Sequence, residues 1–297
     1  MSANDQPRWF THALAVPYEE GAVSVKGTDV HYLEWGTRRM PGLVFVHGGA
    51  AHAHWWAYLA PFFSEDWHAV ALDLSGHGDS GRRPEYNHEL WAHEVLSVAD
   101  YVGFPGPPVV VGHSLGGVVT IEAAATYGDL LAGSVIVDSP VRGPDPESAE
   151  GASGDSPFRS PGVYEDKETA VAHFRLIPEQ PTSNQYILDY IAGHSVVETE
   201  QGWTWKFDPR VFDKTLGSLH DELASIDGRI ALLRGEHSVV VPDDTAEYMY
   251  DLMGRNAPVA SIPDAYHHLI VDQPLAFVAS LRTLLADWEH SIPRTRL

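Results

Sequence analysis

The chain has 297 residues, 44% of them hydrophobic, enough to bury one large α/β core or a core carrying an inserted subdomain. It has no cysteine, which excludes disulfides, thiolate nucleophiles and zinc–cysteine sites. A formal net charge of -22 argues against nucleic acid and anionic membranes as partners, because phosphate surfaces call for clustered Lys and Arg.

No apolar run approaches the roughly 18 residues needed to cross a bilayer. The opening MSANDQPRWFTHALAVPYEE lacks the basic-then-apolar order of a signal peptide, so a cytoplasmic location is expected. AVSV and VHYLEW read as two strands joined through Lys26-Gly27-Thr28-Asp29. LVFV, HAVALDL and PVVVG are short β-branched runs that suit buried parallel strands. Helices are predicted near 54–63, 87–102 and 115–127. GSVIVD is a further strand, RIALLRG and PVASIP follow much later, and a last helix is predicted over 274–290. The alternation predicts an α/β fold, an open and mostly parallel eight-stranded sheet with helices on both faces.

The rhythm breaks after Asp138. Residues 143–162 are rich in Pro, Gly, Ser and acids and read as a flexible loop that gates entry. Residues 141–218 are expected to form an inserted, mainly helical cap on a core made of 1–140 and 219–297. Trp203, Trp205 and Phe207 alternate with Thr204 and Lys206, as on one face of an extended segment. Trp203 and Trp205 are the candidate pocket residues there, among other cap aromatics such as Phe158, Tyr164 and Phe174.

The chemistry concentrates in PVVVGHSLGGVVTIEAAATYG, where Gly112-His113-Ser114-Leu115-Gly116 lies between a strand and a helix. A G-x-S-x-G spacing at such a junction makes a sharp turn that exposes the serine oxygen, with small neighbours avoiding clashes. Ser114 is therefore the candidate nucleophile, and the helix after it favours negative charge nearby. His113 reads as a packing residue and is counted as a candidate substrate contact. After the last predicted strand, IPDAYHHLIVDQP offers His267, which from there reaches Ser114 across the carboxyl ends of the strands.

Together these segments resemble the α/β-hydrolase family over most of the chain. FVHGGAAHAHWW is similar to the family's oxyanion loop, which implies that the Gly49 and Leu115 N–H groups hold an oxyanion. ALDLSGHGDSG carries Asp73, Gly76, Gly78 and Ser80 in their usual family places. Its G-x-G-x-x-G is a decoy, because Arg82-Arg83-Pro84 follows instead of an apolar helix, so no dinucleotide is expected. His267 stands seven residues before Pro274, the family's spacing for the general base.

The resemblance leaves one position vacant. Most relatives carry the acid of the triad after the penultimate strand, about where LLRGEHSVVVPDD has Ser238 and Val239. Glu236 lies near but resembles a common bystander, and Asp243 and Asp244 read as helix-capping residues. Asp138 ends a strand 24 residues after Ser114 and is favoured over Glu236. Haloalkane dehalogenases and zearalenone-type lactone hydrolases place their acid there, and a serine nucleophile excludes dehalogenation. His52 and His54 lack a carboxylate at metal-ligand spacing and no H-E-x-x-H occurs, so neither metal nor cofactor is expected. The expectation is a serine hydrolase for an apolar ester or lactone of medium size. A carbon–carbon bond hydrolase or lyase and a receptor-like binding protein are the alternatives, and oligomeric state is not legible.

Overall fold

A computed structural model describes residues 6–143, 162–213 and 218–290. After a short helix, α1 (Arg8–Leu14), the chain enters β1 (Glu19–Val25), β2 (Thr28–Trp35), β3 (Gly42–Val46) and β4 (His68–Leu72). Helix α2 (His88–Val102), β5 (Val109–His113), α3 (Leu115–Tyr127) and β6 (Gly133–Val137) follow. Before the sheet resumes come α4 (Lys167–Ala172), α5 (Gln185–His194), β7 (Val196–Thr199) and β8 (Gly202–Trp205). The remainder is α6 (His220–Ala224), β9 (Ile230–Gly235), α7 (Asp243–Leu252), β10 (Val259–Ile262), α8 (Leu269–Asp272) and α9 (Pro274–His290).

Eight strands form one sheet in the order β1-β2-β4-β3-β5-β6-β9-β10, antiparallel at β1/β2 and β2/β4 and parallel elsewhere. The central strands β3, β4, β5, β6 and β9 are buried along their whole length. That is what their unbroken apolar runs require when helices cover both faces. On one face Phe45, Val111 and Val135 pack with Phe277 and Leu281 of α9. On the other, Val44, Val46 and Val110 pack with Trp91 and Val95 of α2 and Val119 of α3. The β1–β2 turn is tighter than the predicted quartet. Val25 pairs with Thr28, leaving Lys26 and Gly27 at φ 49° and 80°, the left-handed conformation that a two-residue hairpin turn demands.

Two local readings change. Residues 54–63 form two single 3₁₀ turns, Ala53–Trp55 and Ala60–Phe62, instead of one helix. Pro61 removes a backbone donor inside that stretch, and the buried Trp55, Trp56 and Tyr58 set its path. Asp243 and Asp244 occupy the first turn of α7 behind Pro242 and do not cap it. The loop expected over 143–162, with Phe158, lies outside the described residues except for its two ends. Between β6 and β9 the described residues combine α4 and α5 with a β7–β8 hairpin, so this stretch is part helix and part sheet. It is tied to the loop after β4: the Gly78 N–H donates to the Lys206 carbonyl and the Asp208 N–H to that of Gly76. Among the described residues no helix is long and apolar enough to cross a membrane.

Burial dominates the histidine chemistry of the core. It pushes the imidazoles of His47, His52, His77, His113 and His268 below their ordinary pKa, His77 and His113 to about 3. A lowered folded-state pKa means full stability above the unfolded value of about 6.5, and a loss as pH falls from there towards the folded value. Each such group steepens the loss by up to about 1.4 kcal/mol per pH unit. Unfolding free energy measured in urea is thus expected to fall steeply below about pH 6.5. His77→Gln should flatten that slope by roughly 1 kcal/mol per pH unit; an unchanged slope would contradict the assignment.

Candidate active site

The register of the sheet brings the first two residues together. His113, the last residue of β5, pairs with Val137, the last of β6, so Ser114 and Asp138 emerge side by side at the carboxyl edge. The Ser114 N–H still donates to the Val137 carbonyl, and the Asp138 N–H to that of Leu233 on β9. Both residues have left-handed φ, 53° at Ser114 and 46° at Asp138, where non-glycine residues are uncommon. The turn at Ser114 works only with glycine around it. A Cβ at Gly112 would lie 2.0 Å from the Gly116 carbonyl oxygen, and one at Gly116 would lie 2.3 Å from that of Val46.

Three side chains make a continuous line. Ser114 Oγ lies 3.1 Å from His267 Nε2, and His267 Nδ1 lies 2.7 Å from Asp138 Oδ2. Asp138 is fully buried and His267 nearly so. A carboxylate only accepts hydrogen bonds, so the Nδ1 of His267 carries the proton and Nε2 is left to accept from the Ser114 hydroxyl. Asp138 has two further donors: the Gly235 N–H on Oδ1 at 2.9 Å and the Ser238 hydroxyl on Oδ2 at 2.6 Å. Glu236 takes no part. It is exposed and accepts from the Asp264 N–H at 3.0 Å, while Asp243 is paired with Arg234.

A second set of contacts holds the loop of His267 from both sides. The Tyr266 N–H donates to Asp272 Oδ2, and the His268 N–H donates to Gln180 Oε1, each at 2.9 Å. Gln180 then closes the frame, its Nε2 donating to Asp272 Oδ2 at 2.7 Å. Asn184 donates in turn to the carbonyls of Val271 and Asp272. Both amide side chains come from the stretch between β6 and β9, 88 residues away for the Gln180–His268 pair. No sequence signal marks them.

Gly49 lies beside the start of α3, where a Cβ on it would sit 4.0 Å from Leu115 Cβ and 3.0 Å from the ring of Phe212. Among the described residues neither the Gly49 nor the Leu115 N–H donates to a protein acceptor. Two unpaired amides at a helix N-terminus suit a developing negative charge.

The remaining sequence-predicted residues are placed differently. His113 is buried behind His267, with ring centroids 4.9 Å apart, and its Nε2 donates to the His267 carbonyl at 3.0 Å. Burial first, and the neighbouring His267 second, keep it neutral, and its ring backs that of His267. Trp203 lies on β8 with the Lys167 ammonium 5.6 Å from its ring centroid. It lines an outer cleft with Tyr190, His194 and Lys206 that Ser114 does not border. Trp205 connects to His268 through a run of rings: Trp205 to Phe174, Phe174 to Trp55, and Trp55 to His268 at 5.5 Å. His113, His267 and His268 place ring nitrogens within 4.8 Å of one another, yet His113 Nε2 and His267 Nδ1 already have partners.

Comparison with known proteins identifies the family. Residues 43–281 match the sequence pattern of the alpha/beta hydrolase family. The chain is 30% identical over 279 residues to Esterase Rv0045c of Mycobacterium tuberculosis, covering 88% of each. A shorter match, 31% over 132 residues, is to Bifunctional epoxide hydrolase 2 of Mus musculus, and covers 43% of this chain and 23% of that protein. In fold it resembles E-2-(acetamidomethylene)succinate hydrolase, with a TM-score of 0.80 at 20% identity over 91% of this chain and all of that one. The strand order, the serine turn and a family match spanning most of its length establish that the chain belongs to the alpha/beta hydrolase family.

Proposed function

We propose that the protein is a serine hydrolase of carboxylic esters, lactones included, and that the line Ser114–His267–Asp138 is its catalytic triad. The observation that carries this reading is that line itself: 3.1 Å and 2.7 Å, with the histidine tautomer fixed by a buried carboxylate.

Ser114 Oγ attacks the carbonyl carbon of the ester and gives its proton to His267 Nε2. The carbonyl oxygen becomes an oxyanion between the Gly49 and Leu115 N–H groups. His267 returns the proton to the departing alkoxide oxygen, leaving an acyl group on Ser114. Water then repeats the sequence, with His267 taking its proton, and the carboxylic acid leaves. Asp138 orients His267 and stabilises the imidazolium formed in each step.

The same chemistry separates this reading from epoxide hydrolysis, the activity named for one partial relative. A serine that opened an epoxide would be left as an ether, which has no carbonyl carbon for water to attack. An acyl-serine has one. Trp55, against His268, and Phe212, beside Gly49, give the surroundings of the site an apolar character, which suits an uncharged substrate. Residues 141–218 act in this reading as a lid. The position of Asp138 at the end of β6 is what extends the substrate class to lactones. An esterase among the relatives with long coverage supports the ester reading.

Hydrolysis of p-nitrophenyl acetate and butyrate tests the reading. Ser114→Ala is expected to lower turnover by about 10⁴-fold or more, and Asp138→Asn by about 10³- to 10⁴-fold, whereas Glu236→Gln stays within about twofold. Tight ligand binding with no turnover of any ester or lactone would overturn it. Gln180→Ala removes the bridge between Asp272 and the His268 amide, so kcat is expected to fall about 3- to 10-fold, the equivalent of one hydrogen bond. Amide hydrogen exchange at Tyr266 and His268 should accelerate in the same variant; unchanged exchange would show that the frame is dispensable.

A further inference from the structure

Asp138 is a buried carboxylate that forms no ion pair with lysine or arginine among the described residues, and what holds it in place is hydrogen bonding. Of its three donors, His267 changes protonation during the proposed reaction and the Gly235 N–H is fixed backbone of β9. The third is Ser238, itself buried, at the position where the resemblance had pointed to an acid.

The direction of the Ser238 hydrogen bond is determined by its neighbours. The Val240 and Val241 N–H groups both donate to Ser238 Oγ at 3.1 Å. Both lone pairs of the oxygen are thereby engaged, and its proton can only point outward to Asp138 Oδ2 at 2.6 Å. Two backbone dipoles thus polarise a hydroxyl whose proton bonds the same carboxylate oxygen that receives His267 Nδ1.

From this geometry we infer that Ser238 is a positioning residue for the hydrolytic reaction: it fixes the Asp138 carboxylate, with Oδ2 towards His267, and shares the charge on that oxygen. This rests on the triad reading above. Without the hydroxyl, Asp138 keeps one fixed donor on Oδ1 and is free to turn about its side-chain torsions, so Oδ2 no longer has one place opposite Nδ1. The loss falls on proton transfer, since the Ser238 hydroxyl bonds Asp138 and the Val240 and Val241 amides. Substrate binding is untouched.

The test compares Ser238→Ala with Ser238→Thr, which retains a hydroxyl, after thermal melts establish that both are folded. A hydrogen bond to a charged group contributes about 1.5–3 kcal/mol, so Ser238→Ala is expected to lower kcat on p-nitrophenyl butyrate by about 10- to 100-fold. KM should stay within about threefold, and Ser238→Thr should recover kcat to within about threefold of wild type. Proton NMR adds a readout that packing alone would not move: the downfield signal of the His267 Nδ1 proton should shift or broaden in Ser238→Ala and return in Ser238→Thr. If Asp138→Asn is inactive while Ser238→Ala keeps the wild-type kcat and Nδ1 signal, Ser238 has no positioning role and the triad reading survives. If Asp138→Asn is fully active, the triad reading falls and this inference with it. Should Ser238→Ala fail to fold, a Ser238→Thr variant that folds but loses kcat as Asp138→Asn does would also overturn the inference, because it keeps the donor.

Discussion

Burying a carboxylate at the edge of a parallel sheet is costly unless hydrogen bonds replace its water, and Asp138 is where this molecule meets that constraint. Three donors from three parts of the chain converge on it: the Gly235 amide of β9, the Ser238 hydroxyl after β9, and His267 Nδ1 beyond β10. Each also fixes something else. The Gly235 contact locks β6 to β9 at their ends, and the Ser238 contact shapes the loop behind them. The His267 contact sets a tautomer and so determines which ring nitrogen faces Ser114. In the proposed mechanism, the acid is as much a keystone of the fold as a member of the triad.

The strain at the site is of the same origin. Ser114 and Asp138 both adopt a left-handed backbone, each at the first position beyond paired strands. Conformations of this kind cost of order 1–3 kcal/mol and persist where the surroundings over-determine them. Here the surroundings are the paired β5 and β6, the glycines that let α3 approach β3, and the hydrogen bonds on the carboxylate. The stretch between β6 and β9 adds a further constraint through Gln180 and Asn184, which grip the loop just after His267.

What the sequence disclosed was set by how local the determinants are. The central strands were legible because each is a short, mainly apolar run ended by a turn, β1 and β2 because a turn joins them, and α3 because it follows β5 directly. Ser114 was marked by glycines two residues away on either side. His267 and Asp138 were marked by their places after strands, and the structure brings both to Ser114 through register. Gln180 and Ser238 could not be found in this way, since their partners lie 88 and 100 residues off and nothing local distinguishes them from any other Gln or Ser. His113 reads in sequence as a packing residue and as a candidate substrate contact, because adjacency to a serine says nothing of facing. Its position at the end of β5 sends its ring under His267 instead. Trp203 was likewise drawn by the alternation of β8 towards the site, but it borders an outer cleft.

In the proposed mechanism this line of hydrogen bonds makes one serine among many nucleophilic. Covalent labelling measures that directly. A fluorophosphonate accepts a bond from a nucleophilic serine oxygen to phosphorus and expels fluoride, and intact-protein mass spectrometry with peptide mapping counts and locates the adduct. The account predicts one adduct per chain, on the peptide containing Ser114, formed at least about 100-fold more slowly when His267 is replaced by alanine. An unlabelled protein, or an adduct on any other serine, would contradict it.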